Sequence, residues 1–122
     1  AKLQAANIEI ALFVDPNSRQ IEMAKLLGAG AVEIQTARFS KARTAADRER
    51  ELTLLRESAE FARQHGLHVH LGHGLTYENV HHVTGLPGVE ELNIGHSIVA
   101  RAVLVGMERA VREMKQAMQA TS

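Results

Sequence analysis

Leu67-His68-Val69-His70-Leu71-Gly72-His73-Gly74 and Glu91-Leu92-Asn93-Ile94-Gly95-His96-Ser97 share one plan: a short β-type run, a glycine–histidine turn, then a helical pattern. Glycine lets the backbone approach a ligand closely, and the first amides of the following helix point at it. Histidine adds a group that donates or moves a proton near neutral pH. Two such turns on consecutive strand–helix units point to a phosphorylated substrate and acid–base chemistry.

Outward from these turns the same alternation runs through the chain. Ile8–Val14 is apolar and reads as a buried strand, and Asn17 or Ser18 caps a helix to about Leu27 with Ile21, Ala24 and Leu27 on one face. Gly28-Ala29-Gly30 stops that helix, and Ala31–Thr36 is the second strand. Ala37–Ala46 reads as a polar loop. Asp47–Gln64 is the longest helix, burying Leu52, Leu55, Ala59 and Ala62 and closing at Gly66, with His65 helping to end it. Leu67–Leu71 and Glu91–Ile94 are the third and fourth strands, separated by a short helix over Thr76–Val83. Ser97–Val105 is a short apolar helix, and Met107–Ala120 an amphipathic one with Ala110, Val111, Met114 and Met118 inward.

Strands alternating with helices at this spacing imply βαβ units, right-handed crossovers and a parallel sheet. Four such units fit a flavodoxin-like open sheet or half of a (β/α)8 barrel. The extra short helix favours the barrel, because TIM barrels often build a phosphate site from the loops after their last two strands and a short additional helix. The expected fold is therefore α/β. Residues 1–122 are expected to supply the C-terminal half of one TIM-barrel domain: about its last four βα units plus the extra phosphate-site helix. A half barrel leaves Ile8–Val14 and Glu91–Ile94 as open edges, so a second half, covalent or associated, is expected. The chain begins at Ala1 without an initiator Met, which fits processing or a piece of something longer.

Composition narrows the partners. Fourteen basic residues balance fourteen acidic ones, so nothing suggests a nucleic-acid surface. The longest apolar stretch, Ser97–Gly106, is interrupted by Arg101 and is too short for a bilayer, so no membrane partner is expected. The absence of cysteine removes thiol chemistry and fits a cytoplasmic setting.

Glu33 sits inside the apolar run Ala31-Val32-Glu33-Ile34, as a paired core carboxylate or as a functional group at a barrel mouth. His73, between two glycines past a strand end, is a turn histidine bonded to backbone or a general acid or base. Gly74 would let a phosphate or carbonyl reach the backbone, and Gly95 and His96 repeat this at the next strand. Asn93 either binds ligand or bonds within the barrel. His68, His70 and His73 form a string that could also be read as a zinc or iron site, but no acidic residue is in step with it, and no metal is assigned. Arg38 and Lys41 could reach an anion or stay solvated, and His81 and His82 read as solvated.

The strings Val69–Val80 and Glu90–Ala102, together with Ala11–Pro16 and Val32–Thr36, resemble the pyridoxine 5′-phosphate synthase family over essentially the whole chain. The resemblance implies a (β/α)8 barrel, usually octameric and cytoplasmic, in vitamin B6 biosynthesis. It implies condensation of 1-deoxy-D-xylulose 5-phosphate with 3-amino-2-oxopropyl phosphate, releasing phosphate and water, with no metal or organic cofactor. Carried over by position, it makes His73 the proton donor and Glu33 a stabiliser of a charged transition state. Gly74, Gly95 and His96 become substrate contacts, the last two through phosphate. Gln35, Ala37 and His70 depart from the pattern, which has histidine, glycine and asparagine there. The match begins near the fifth strand of the barrel, so the family's earlier catalytic histidine and glutamate have no counterpart and this half alone is expected to be inactive. Two other readings stand beside it. One is a non-catalytic phosphate-binding half barrel that oligomerises through its open edges. The other is a metal-dependent hydrolase using the histidine string.

Overall fold

The computed structural model describes residues 2–120. Four parallel strands form one sheet: β1 (Ala11–Val14), β2 (Ala31–Gln35), β3 (His68–Gly72) and β4 (Val89–Asn93). Their spatial order is their chain order, β1-β2-β3-β4. A doubly wound open sheet would reverse direction at its first crossover. The singly wound order is that of a (β/α)8 barrel, of which this is a four-strand arc. Among the described residues β1 and β4 each pair on one side, as expected of a half barrel.

The helices are α1 (Lys2–Ala5), α2 (Ser18–Leu26), α3 (Ala37–Lys41), α4 (Ala45–Gln64), α5 (His81–Thr84), α6 (His96–Val105) and α7 (Met107–Gln119). Side chains alternate across each strand. Val14, Val32, Ile34, Val69 and Leu71 cover one face and join Ile21 and Ala24 of α2 with Leu52, Leu55, Ala59 and Ala62 of α4 in a single core. The opposite face carries Phe13, Glu33, Gln35, His70, Gly72 and Asn93, in register across the strands. This is the barrel's interior wall. Phe13 is 57% exposed there, so the wall stands open in this half.

Several local expectations need correction. The segment 37–46 is not a loop: Ala37–Lys41 forms α3, and α4 begins at Ala45 rather than Asp47. Thr44 explains the earlier start, because its side chain accepts the Asp47 N–H while its hydroxyl donates to the Asp47 carboxylate. β1 begins at Ala11, and Ile8 is exposed. β4 spans Val89–Asn93, two residues earlier at its start than expected. Residues 77–80 form turns, and the helix before β4 contracts to α5. Leu27 caps α2 and is 63% exposed, and Val111 is also exposed, so neither is inward. The extra helix starts at His96, one residue early. It buries no residue and leaves Val103 and Leu104 outside. The expected helix stops hold, with Gly28 at φ +82° and Gly66 at φ +71°.

Candidate active site

Residues on or just after all four strands meet in one cavity of about 480 Å³, lined among others by Phe13, Glu33, His73, Gly74, Asn93 and Gly95. His96 and Ser97 complete the wall at the start of α6. The cavity lies at the carboxyl ends of the strands, where barrel enzymes place their chemistry. The two glycine–histidine turns, 23 residues apart in the chain from His73 to His96, thus face one space. Ser97 Oγ donates to Leu75 O at 2.8 Å and ties the turns together.

Glu33 projects from the middle of β2, and Asn93 Nδ2 donates to its Oε2 at 2.8 Å. Gly72 stands between them on β3. A Cβ there would overlap Glu33 Oε1 and lie 3.1 Å from Asn93 O. The carboxylate therefore occupies the space that glycine leaves. Its hydrogen-bond partner is a neutral amide, and among the described residues no cation pairs with it.

His73 has φ +78°, a left-handed conformation uncommon outside glycine. Its ring meets Phe13 edge-on, with centroids 6.2 Å apart. Gly74 follows at φ +84°, and a Cβ on it would lie 2.8 Å from Ser40 Oγ. Asn79 braces this turn, accepting the Thr76 N–H at 2.7 Å and donating to Gly74 O at 3.2 Å. Thr36 donates its hydroxyl toward Gly72 O at 2.9 Å and His73 O at 2.6 Å. Thr36, Ser40 and Asn79 were not singled out as functional from the chain, and Gly72 was read as part of the turn and not as the seat of the Glu33 carboxylate. A threonine closing the strand run Ala31–Thr36 was the available signal for the first.

The second turn offers an anion cradle. The first helical bond of α6 runs from Val99 N to Gly95 O at 2.9 Å, so the preceding amides have no helical acceptor. No side chain caps this end. The macrodipole of a ten-residue helix adds to the preference for negative charge there, by about 0.3–1 kcal/mol in general.

The histidine string disperses. His68 Nδ1 pairs with Glu90 at 2.9 Å, and His70 Nδ1 lies 3.8 Å from Glu91, both near the amino ends of the strands. Acidic residues therefore do stand in step with it, contributed by β4. His73 is at the other end of the sheet. Among the described residues no three His, Cys, Asp or Glu groups converge in a metal-binding cluster. His81 and His82 are half-buried, not solvated, and stack on each other at 4.0 Å. His65 caps α4 and bonds Phe61 O at 2.8 Å. Arg38 turns away from the cavity to pair with buried Glu51 at 2.8 Å. Gln35 Nε2 bonds Asp15 Oδ1 at the end of β1.

A singly wound parallel arc with an acid, a histidine and an uncapped helix N-terminus at its carboxyl end defines part of a (β/α)8-barrel protein. The profile of the family described as pyridoxal phosphate biosynthesis protein PdxJ matches residues 1–120. The chain belongs to that family. It is 53% identical over 117 residues to the pyridoxine 5′-phosphate synthase of Microcystis aeruginosa, covering 96% of this chain and 49% of that one. Against the pyridoxine 5′-phosphate synthase of a Cyanothece species it is 55% identical over 119 residues, covering 98% and 50%. Against that of Trichlorobacter lovleyi it is 51% identical over 114 residues, covering 93% and 48%. The chain spans about half the length of the curated relatives it matches. Among the described residues no helix is long and apolar enough to cross a membrane.

Proposed function

We propose that the protein carrying this half barrel is a pyridoxine 5′-phosphate synthase. It condenses 1-deoxy-D-xylulose 5-phosphate with 3-amino-2-oxopropyl phosphate to pyridoxine 5′-phosphate, with loss of inorganic phosphate and water. The observation that carries this reading is the convergence of Glu33, His73, Gly74, Gly95 and His96 on one cavity.

In this reading Gly95 and His96 hold the phosphate of the amino ketone at the open amides of α6. Gly74 contacts the same substrate. His73 donates protons as water and phosphate leave, since imine formation, dehydration and ring closure each need proton transfer. Glu33, held by Asn93, stabilises the positive charge that develops on the amine-derived nitrogen. The reading requires no metal or organic cofactor. It places the enzyme in the cytoplasm as a homo-oligomer, an octamer by family resemblance. Turnover needs the strands that complete the wall opposite Glu33, so this half alone is inactive.

The test is an assay of the intact protein with both substrates, following pyridoxine 5′-phosphate by chromatography. Product forms with the parent sequence, and His73→Ala removes most turnover while the fold is retained. A folded intact protein that forms no product overturns the synthase reading. If it still binds inorganic phosphate and assembles into a discrete oligomer, the non-catalytic phosphate-binding half barrel takes its place.

A further inference from the structure

We infer that Thr36 is a positioning residue for His73: its buried hydroxyl holds the turn after β3 in the conformation that presents the imidazole to the cavity. This rests on the reading of His73 as the proton donor.

The turn does not hold itself. His73 adopts φ +78° without being glycine, and Gly74 follows at φ +84°. A left-handed residue other than glycine is unfavourable unless the surroundings over-determine it, and here that residue is His73. The His73 ring has a wide aromatic edge contact with Phe13 at 6.2 Å, which does not fix a backbone. The backbone is fixed from behind. Thr36 is 1% exposed. Its N–H donates to Gly72 O at 2.8 Å and continues the β2–β3 ladder one residue past its last pair. Its hydroxyl lies 2.9 Å from Gly72 O and 2.6 Å from His73 O. One hydroxyl proton thus serves two successive carbonyls, and the His73 carbonyl is the nearer.

The other side of Thr36 anchors the opposing wall. Thr36 O accepts the Ser40 N–H at 2.9 Å and so sets the first turn of α3. That places Ser40 against Gly74, where a Cβ would lie 2.8 Å from Ser40 Oγ. The His73-Gly74 turn is therefore gripped between a hydroxyl under its first carbonyl and a short helix against its second residue. Thr36 joins both.

Packing alone does not call for threonine. Valine fills the same β-branched volume and suits a strand end without burying a hydroxyl. The hydroxyl's acceptors are the carbonyls that define the His73 conformation. Losing it would free the His73 carbonyl and let the imidazole drift, and a shift of about 1 Å in a reacting group can cost on the order of 10²-fold in rate.

The experiment compares Thr36→Val and Thr36→Ser with the parent in the intact protein. One readout is the His73 imidazole proton resonances, assigned by their loss in His73→Gln. The other is kcat and KM for pyridoxine 5′-phosphate formation. Thr36→Val is expected to move the His73 resonances and lower kcat by about 10²-fold, with KM nearly unchanged. Thr36→Ser, which keeps the hydroxyl, restores both. Thr36→Ala replaces the valine variant if circular dichroism shows that the latter is unfolded. Unmoved His73 resonances with parental kcat in the hydroxyl-free variant overturn the proposal, as does a serine variant as impaired as valine. If the parent makes no product, the synthase reading fails, and the resonances alone decide. Movement in valine but not serine supports the positioning role, and no movement overturns it.

Discussion

Asn93 on β4 donates its side-chain N–H to Glu33 Oε2 on β2 at 2.8 Å, crossing over β3 to do so. The bridge exists because the intervening residue, Gly72, has no side chain. Sixty residues apart in sequence, the two groups become a fixed carboxylate only when three strands are in register. A neutral amide thus orients the acid.

Gly72→Ala tests this seat directly. The added methyl displaces the Glu33 carboxylate from the place it shares with the glycine. Turnover of the intact protein should fall by about 10²-fold, the cost of misplacing a reacting group, while circular dichroism stays that of a folded barrel. Parental turnover in this variant would show that the Glu33 position is not needed.

Leu55 reports on the core that carries the sheet. It lies 2% exposed among Val32, Ile34 and the inner face of α2 in the single apolar cluster. Leu55→Ala removes buried methyl groups and leaves a cavity, a change that costs about 2–5 kcal/mol. Urea denaturation should show this as a lower midpoint with an unchanged slope.

Glu113 fastens α7 to α6. It receives Arg101 Nε at 2.8 Å and Arg109 Nε at 2.8 Å. The Arg101 hydrogen bond, then the Arg109 one, lowers its carboxyl from 4.5 to about 2. A depressed acid stabilises the fold above its unfolded value and loses that contribution as the folded group protonates. The contribution is therefore complete above about 4.5 and vanishes toward 2. Glu113→Gln should melt at a lower temperature than the parent near neutral pH, and the gap should close as pH falls through that window.

His82 works in the opposite pH range. Burial, then His81 and Arg48, lower its imidazole below 6.5, against a weaker opposing pull from Glu49. The unfolded chain then takes up the proton before the folded one, so acidification below 6.5 favours unfolding. His82→Phe keeps an aromatic ring against Phe39, where the histidine edge now sits at 6.2 Å. Its melting temperature should fall less than the parent's between about pH 8 and about pH 5.

Much of this was readable along the chain. The apolar runs at Val32–Ile34 and Val69–Leu71, the alternation with helical periods, and Gly28 and Gly66 as helix stops are local signals, and they appear where they were read. Four of the candidate residues, His73, Gly74, Gly95 and His96, stood out because they form glycine–histidine turns after strands, and Glu33 because a carboxylate interrupts an apolar strand. The errors lay where a tertiary partner overrides local polarity. Ala37–Lys41 looks like a polar loop, yet Phe39 buries to 3% exposure and Thr36 starts a helix. Leu27 and Val111 follow helical spacing but fall outside the contact surface. His68 and His70 lacked acidic neighbours in sequence, and parallel pairing with β4 supplied them.

Strand and helix types, the positions of the two turns and the chemistry of their residues follow from steric preference and periodicity within a few residues, so they could be read from the order of amino acids. Strand order was different in kind. Four βα units are compatible with two sheet topologies, and the choice between them is made by long-range packing of helices on a twisted sheet. The same holds for the Asn93–Glu33 bridge, the space at Gly72 and the Thr36 hydroxyl under His73. Each joins residues far apart in the chain, and their contact exists only once burial of one sheet face has set the register of the other.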